Sequence, residues 1–260
     1  MIGFMIRKTL YDLWDNMFKI VVLNIGFLIV TSIPVFLPVL AGQFFNSIAM
    51  EMILSAFGIL VCSVYLAAAA YSIKSISDHS TFSFMDFLRN FKIVWPAGLV
   101  MGLFIFLLYS VFTIIIPFYL GIESLVGLLL AAVVFWATIF ALLSFQFYFT
   151  VYARLGSNIF KSFRKCMIIS LDNSGFAFFL FLHNIVVLII SVVFVFLFPG
   201  PAGILLYLDQ GLRLRILKYD WLKENPEANR RKIPWDALLI EERDKVGVRS
   251  FRNFIFPWKD

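Results

Sequence analysis

Few residues of this chain have the side chains and spacing for chemistry, and those few lie in or beside apolar stretches. Asp209 and Arg213 are four positions apart, one helical turn, so they can neutralise each other; with Gln210 they could instead form an ion or substrate site at a broken helix. His183 and Asn184 could relay a proton or hydrogen-bond a neighbouring helix. The sharpest functional hypothesis is that His183 approaches Asp209.

Other kinds of chemistry are not indicated. The sequence contains no phosphate-binding glycine loop, no His-Glu-x-x-His and no Gly-x-Ser-x-Gly. Cys62 lies in an apolar run and Cys166 beside Lys165, an arrangement typical of neither a disulfide nor a metal site. An enzyme needs several converging catalytic groups, which this inventory does not offer. We expect no catalysis, no cofactor and no metal.

The composition indicates an integral membrane protein. Hydrophobic residues make up 62% of the chain, charged residues 15%, and the mean hydropathy is +0.92. A soluble domain has no core large enough for that much apolar surface. Five runs without Asp, Glu, Lys or Arg each exceed the roughly 20 residues that cross a bilayer; they are 20–50, 52–73, 93–122, 124–153 and 173–208.

The basic residues predict the topology. There are 3 Lys and Arg in residues 1–19, 3 in 74–92, 4 in 154–165 and 12 in 213–260, and the connections between these groups have none. Basic residues concentrate on the cytoplasmic side of membrane proteins, so both termini are expected in the cytoplasm. That placement requires an even number of crossings.

Six spans satisfy this requirement, at about 20–42, 48–72, 94–117, 123–151, 174–198 and 202–221. The last is ambiguous, because the run 173–208 is too long for one crossing and too short for two. Pro199 and Pro201 should break it. The segment after the break is either a short, tilted span or a re-entrant helix, and the basic residues beyond it favour the span.

An internal repeat is the second architectural signal. The letters Phe-Lys-Ile-Val occur at 18–21 and again at 91–94, which aligns Lys19 with Lys92 and, one further repeat on, with Lys165. Each lysine follows an amphipathic stretch predicted to lie in the cytosolic headgroup layer, and Ser83 with Asp86 offers a capping box for the second of these. The prediction is an all-α bundle of three tandem hairpins, at about 1–73, 74–153 and 154–222. Coincidence is the alternative.

The tail, residues 223–260, is predicted to be a separate cytosolic segment. A helix is expected at 234–246 with Trp235, Leu238 and Leu239 on one side. Beyond it, basic and aromatic residues alternate, which is typical of an interfacial anchor or of a surface that docks a cytosolic protein. With the three repeat lysines and Trp235, these residues form the predicted lipid or partner interface: Arg249, Phe251, Arg252, Phe254, Phe256 and Trp258. Nucleic-acid binding is not indicated.

Three segments resemble the YesL-like family of bacterial membrane proteins, a domain of unknown function. They are SFMDFLRNFKIVWPAGLVMG at 83–102, NIFKSFRKCMIISLDNSGFAFFL at 158–180 and FPGPAGILLYL at 198–208. The resemblance covers most of residues 1–217. It implies a bacterial inner membrane and an accessory or regulatory role near carbohydrate-uptake systems, without catalytic residues. The tail departs from the family pattern.

Two functions therefore follow from the sequence. The first is a multi-pass accessory, scaffold or regulatory protein that binds a partner through its spans and cytosolic tail. The alternative is a small transporter or channel with a site near Asp209 and His183, favoured by the repeats and the broken helices.

Overall fold

The computed structural model describes residues 1–45, 47–80, 83–156, 158–230 and 232–247. Within these ranges the chain is all-helical, as predicted, and contains no strand. The helices are α1 (Ile2–Asp15), α2 (Met17–Phe45), α3 (Ile48–Ser77), α4 (Phe84–Ser110), α5 (Ile116–Leu120), α6 (Leu125–Phe145), α7 (Tyr148–Leu155), α8 (Ile159–Asp172), α9 (Ser174–Val193), α10 (Gly200–Glu224), α11 (Trp235–Leu238) and α12 (Ile240–Val246).

Five helical segments of the described chain are long and apolar enough to cross a membrane, and they indicate a membrane protein. They are Met17–Leu40, Ile48–Ser77, Phe84–Leu120, Leu125–Leu155 and Ser174–Val193. Each overlaps one of the first five predicted spans. α10, where the sixth span was predicted, is not among the five.

The apolar helices pack closely where glycine faces a neighbour. A Cβ on Gly58 would lie 2.5 Å from Cα of Pro34, and one on Gly98 would lie 2.6 Å from Cα of Val64. Small residues of this kind let membrane helices approach backbone to backbone. The hydroxyl of Tyr65 adds a 2.6 Å hydrogen bond to the carbonyl oxygen of Leu23, joining α3 to α2.

The prolines occupy different positions in the helices. Pro34 and Pro38 lie inside α2, which continues to Phe45. Pro117 follows a π-helical turn, Val111–Ile115, that joins α4 to α5, and the Phe198–Pro199 peptide bond is cis. Long apolar helices tolerate internal proline because neighbouring helices and local adjustments satisfy the freed backbone groups.

The expected surface helices are only partly as predicted. The capping box between Ser83 and Asp86 is confirmed, since both of its hydrogen bonds are present. The helix α1 differs, because it buries Lys8 and Asp12 together with its apolar residues instead of lying with one stripe on lipid. It packs along α10: Gln210 bonds Asp12, and Arg215 contacts Met1. For this helix, contacts with polar side chains of the interior therefore take the place of the expected contacts with lipid headgroups.

Candidate functional site

The helix α10 is the centre of the candidate site, because it is buried along most of its length between Gly200 and Lys218. Its start is held by a side chain of α2. The Asn24 amide nitrogen donates to the carbonyl oxygens of Leu197 (2.9 Å) and Pro199 (2.8 Å), and its oxygen accepts from the Ala202 amide (2.9 Å). Asn24 thus satisfies one of the free amides at the helix start.

A second side chain completes this start. The Ser191 hydroxyl of α9 accepts a 3.0 Å hydrogen bond from the amide of Gly200. Gly200 has φ of 62°, a left-handed conformation that favours glycine, and a Cβ there would lie 2.4 Å from the Asn24 amide nitrogen. The turn between α9 and α10 is therefore fixed to α2 by backbone geometry and by close contact.

One face of α10 carries a buried ion pair. Asp209 is fully buried, and the Arg154 guanidinium of α7 donates to both of its carboxylate oxygens, at 2.6 and 2.5 Å. Such a two-bond arrangement is the strongest geometry for an arginine and a carboxylate. Arg154 also binds Asp78, just after α3, at 3.0 Å. One cation thus joins α10 to the ends of α3 and α7.

Arg213 extends the same network toward the tail. Its guanidinium donates to the backbone oxygen of Ser77 (2.7 Å) and to Glu242 of α12 (2.5 Å), and lies 3.5 Å from Asp78. The expectation that Asp209 and Arg213 neutralise each other is therefore corrected. Each has its direct ionic partners on other elements, and Asp78 links the two.

The helix α1 contributes the last pair. Lys8 donates to Asp12 (2.9 Å) and to the Ser77 carbonyl oxygen (3.1 Å), and Gln210 donates to Asp12 (2.7 Å). Burial lowers the pKa of Lys8 and raises that of Asp12, and the attraction between the two opposes both shifts. We call this network the ion-pair cluster: Lys8, Asp12, Asp78, Arg154, Asp209, Arg213 and Glu242.

Further along α10 lies a second polar group. Lys218 donates to Asp172 (3.0 Å) and to Asn173 (2.9 Å), while the Tyr219 hydroxyl donates to Asp172 (3.0 Å). Burial acts to raise the pKa of Asp172, but the hydrogen bonds from Lys218 and Tyr219 outweigh it and hold that pKa below its usual range. These contacts attach the end of α8 to α10.

Arg215 brings in the start of the tail. Its guanidinium lies 3.8 Å from the ring centre of Phe176 and 5.4 Å from that of Trp235. A 3.0 Å hydrogen bond to Asn173 holds it there. Trp235, predicted as an interface residue, therefore lies against α10, and Leu239, four positions further on, is fully buried.

The other face of α10 borders an apolar cavity of about 340 Å³, which lies between α3, α9, α10 and the α6–α7 junction. We call it the apolar cavity; Leu66, Gln146, Phe149, Asn184, Leu205 and Leu208 are among its lining residues. Ile185 and Leu188, 39% and 43% exposed, also line it. The cavity therefore opens onto the apolar outer surface of the bundle.

Buried polar atoms on this side have no hydrogen-bond partner within the described chain. They are the side-chain oxygens of Gln146 and Asn184 and the Nε2 atom of His183. The His183 ring instead packs edge-on against Tyr207, 4.4 Å between ring centres. Buried polar atoms are nearly always paired, so three in one neighbourhood need an explanation.

The predicted approach of His183 to Asp209 does not occur. His183 contacts Tyr207, two positions before Asp209, and two positions turn a helix by about 200°. The two side chains therefore lie on opposite sides of α10, and of the two only Asp209 belongs to the ion-pair cluster. Of the five predicted polar residues, Asp209, Gln210 and Arg213 share one network, while His183 and Asn184 belong to the other side.

The predicted interface lysines lie apart from both faces. Lys19 is half-buried 3.5 Å from the Asn16 side chain, Lys92 is exposed, and Lys165 borders a separate pocket near Tyr219. Arg249, Phe251, Arg252, Phe254, Phe256 and Trp258 lie outside the described residues.

Sequence reasoning missed the residues that complete the network. Arg154, Asp78 and Asn24 were not among the predicted site residues. Their partners are 55 to 178 positions away, and no local pattern encodes such distances. The one available signal was that a buried carboxylate needs a cation.

The resemblance to the YesL-like family stays a prediction. In comparisons with protein-family models, curated proteins and solved structures, nothing matches this chain.

Proposed function

We propose that this chain is an integral membrane scaffold or accessory protein, whose ion-pair cluster joins the helix ends on one side of the membrane into a rigid base for a partner. The observation that carries this proposal is the cluster itself. Its members come from α1, α7, α10, α12 and the end of α3, yet they are joined by direct ion pairs or through Gln210 and the Ser77 carbonyl oxygen.

The cluster supports a one-sided arrangement. Lys8 precedes α2, Asp78 follows α3 and Arg154 ends α7, so two long apolar segments separate each of them from the next. Side chains that touch lie on the same side of a membrane, so an even number of crossings must separate them. The pair α2 and α3 and the pair α4–α5 and α6 supply these crossings as two hairpins.

The fifth apolar helix does not fit as a crossing. Only α8, α9 and the part of α10 up to Asp209 separate Arg154 from Asp209, and these two residues are in contact. From Gly200 to Asp209, α10 rises only about 14 Å, half of a roughly 30 Å hydrocarbon layer. If α9 crossed, α10 could not bring Asp209 back. We infer four crossings and a re-entrant hairpin formed by α9 and α10.

The position of the hairpin tip agrees with this topology. Asn24, which holds the tip, lies about 10 Å along α2 from Met17, and α2 continues about 31 Å beyond it. The tip therefore stays near the end of α2 that bears the cluster. By the distribution of basic residues this is the cytoplasmic side, with both termini on it.

The same geometry argues for binding over transport. Asp209, the most deeply buried carboxylate, already accepts two hydrogen bonds from Arg154, and His183 lies on the other face of α10. A transport site needs polar groups that can exchange partners with a substrate. The proposed partner is a membrane or cytosolic protein that docks on the cluster side and the tail; the family resemblance suggests a carbohydrate-uptake system.

Site-specific photocrosslinking in cells tests the proposed role. The crosslinker is placed at the exposed Asp220 and Glu241 on the cluster side, and at Val133, 67% exposed on an apolar helix, as the control. We expect one discrete adduct at the first two positions and none at Val133. Absence of adducts at Asp220 and Glu241, or Asp209-dependent sugar or ion flux in liposomes, would contradict the proposal.

Cysteine labelling from outside the cell tests the topology. In a Cys62→Ala, Cys166→Ala background, an impermeant maleimide should label Ile122→Cys, between α5 and α6, and should not label Val195→Cys, between α9 and α10. Both native positions are exposed. Equal external labelling of the two positions would mean that α9 crosses.

A further inference from the structure

The apolar cavity holds three features that point to a ligand. Its lining is almost wholly aliphatic and aromatic, and it opens beside the exposed side chains of Ile185 and Leu188. Two of its lining residues, Gln146 and Asn184, carry buried oxygens that lack a partner in the described chain. Apolar walls with two unpaired acceptors suit a molecule that has a long hydrocarbon part and a hydrogen-bond donor.

The acceptors constrain the donor. The Gln146 nitrogen is already committed to the carbonyl oxygens of Leu143 (2.9 Å) and Ala177 (3.0 Å), which leaves its oxygen as the free atom. Both free atoms are neutral amide oxygens, and among the described residues no carboxylate lines the cavity. A cationic headgroup would lose its hydration here without gaining an ionic partner, whereas a hydroxyl needs only an acceptor.

The depth of the cavity agrees with a lipid occupant. Leu208, which lines the cavity, is adjacent in sequence to Asp209 of the ion-pair cluster. The cavity therefore lies next to the charged end of the bundle, while its open side faces the surface that contacts acyl chains. A lipid in the nearby leaflet can place its polar end near Gln146 and Asn184 and keep its chains in hydrocarbon.

We propose that this cavity binds a neutral lipid alcohol of the diacylglycerol type, whose free hydroxyl donates to Gln146 or Asn184 and whose acyl chain fills the apolar walls. Water is a poorer occupant, because a buried water needs two to four polar partners and these walls are nearly all apolar. This inference is independent of the proposed scaffold role, since it uses the opposite face of α10.

Photolabelling of the purified full-length protein tests this site. The probe is a diacylglycerol that carries a diazirine in one acyl chain, and the competitors are dioleoylglycerol and its 3-acetyl ester, which lacks the hydroxyl. We expect labelling of cavity residues on α9 and α10, and about tenfold stronger competition by the free alcohol. Equal competition by the ester, or the absence of labelling, would overturn the proposal.

Variants assign the hydroxyl to its acceptors. Gln146→Leu with Asn184→Leu should abolish the preference for the alcohol over the ester, while Asn225→Leu, at the exposed end of α10, should keep it. Leu205→Phe, which narrows the cavity, should reduce labelling in a protein whose thermal unfolding is unchanged. Retention of the full preference in the double leucine variant would overturn the assignment. A photocrosslinking result at Asp220 and Glu241 bears only on the scaffold role.

Discussion

The two faces of α10 differ in whether their buried polar groups have partners. On one face Asp209 and Arg213 meet a cation, carboxylates and a backbone oxygen from three other parts of the chain, α7, the end of α3 and α12. On the other, Gln146, His183 and Asn184 each have a buried atom without a partner in the described chain. The contrast separates a side that the protein completes by itself from a side that an outside molecule is expected to complete.

This contrast also shows why burial alone is a weak guide to function. Asp209 was the most conspicuous candidate in the sequence, because a carboxylate in an apolar run is costly. The structure uses it to hold helices together, and its partners leave it little freedom. The less conspicuous amides beside the apolar cavity, by contrast, have unused hydrogen-bonding capacity.

The largest loss of stability is expected when the ion-pair cluster is disrupted. Asp209→Ala leaves Arg154 buried near one remaining carboxylate, and loss of one partner of a buried pair costs about 3–5 kcal/mol. Thermal unfolding in detergent should show a large drop in stability. Asp220→Ala, an exposed aspartate on the same helix, is the control and should change little.

A compensating variant sharpens this result. Asp209→Leu combined with Arg154→Met removes both charges and should recover much of the lost stability, because an apolar pair of similar volume can replace a buried ion pair. Failure to recover would mean that Arg154 is required mainly for Asp78, and that the Asp209 pair is secondary.

The start of α10, which belongs to both faces, should be the next most sensitive to substitution. Asn24→Leu removes three hydrogen bonds at the start of α10 and leaves buried backbone groups unpaired, at about 1–3 kcal/mol for each group that stays unsatisfied. Stability should fall, and exchange of the Gly200, Ala202 and Gly203 amides should accelerate. Unchanged exchange there would show that Ser191 and packing suffice.

A smaller effect is expected at the tail. Glu242→Gln weakens the bond to Arg213 and should cost about 1–2 kcal/mol, since hydrogen bonds to charged groups contribute roughly that much. Faster amide exchange in α12 is the measurement. Glu241→Gln is the matched control, because the side chain of Glu241, next in sequence, is exposed. Equal amide exchange in the two variants would show that the ion-pair cluster does not hold α12.

A substitution on the cavity side should change stability in the opposite direction. Without lipid, Asn184→Leu removes a buried acceptor that has no partner, so stability should stay constant or rise by about 1 kcal/mol. The same detergent unfolding assay compares it with Asp209→Ala. A marked loss of stability would reveal that Asn184 already has a structural partner, and would weaken the contrast between the faces.

The smallest expected effect depends on pH. The lowered pKa of Asp172 means that its ionised form stabilises the fold at neutral pH, and that this contribution is lost as pH falls through its folded pKa, below the usual 3.8. Asp172→Asn should flatten the acid limb of a plot of unfolding temperature against pH. Asp220→Asn should leave that limb in place.

The long helices were predictable because their signals are local. Charge-free runs predicted five apolar spans, each of which overlaps an apolar helical segment of the structure, and Ser83 with Asp86 predicted a cap that is present. The sixth span was harder to predict, because α10 has too many polar residues to be classed by composition as a membrane-spanning helix. Its burial comes from other helices, which a single segment does not encode.

The pairing of polar groups was predictable in kind but not in detail. That Asp209 needs a cation follows from electrostatics, but the choice between Arg213, one turn away, and Arg154, from another helix, depends on how α7 packs. The same applies to His183, whose predicted approach to Asp209 required knowing which face of α10 meets α9.

The bond between Asn24 and the start of α10 has a consequence for biosynthesis. The helix α2 is made before residues 197–202, and its asparagine then has no backbone of those residues to bind. The hydrogen bonds of Asn24 are thus completed by residues that follow it by 173 to 178 positions. A nascent chain released after α6 carries an unsatisfied side-chain amide in α2, a feature by which quality control can distinguish it from the finished protein.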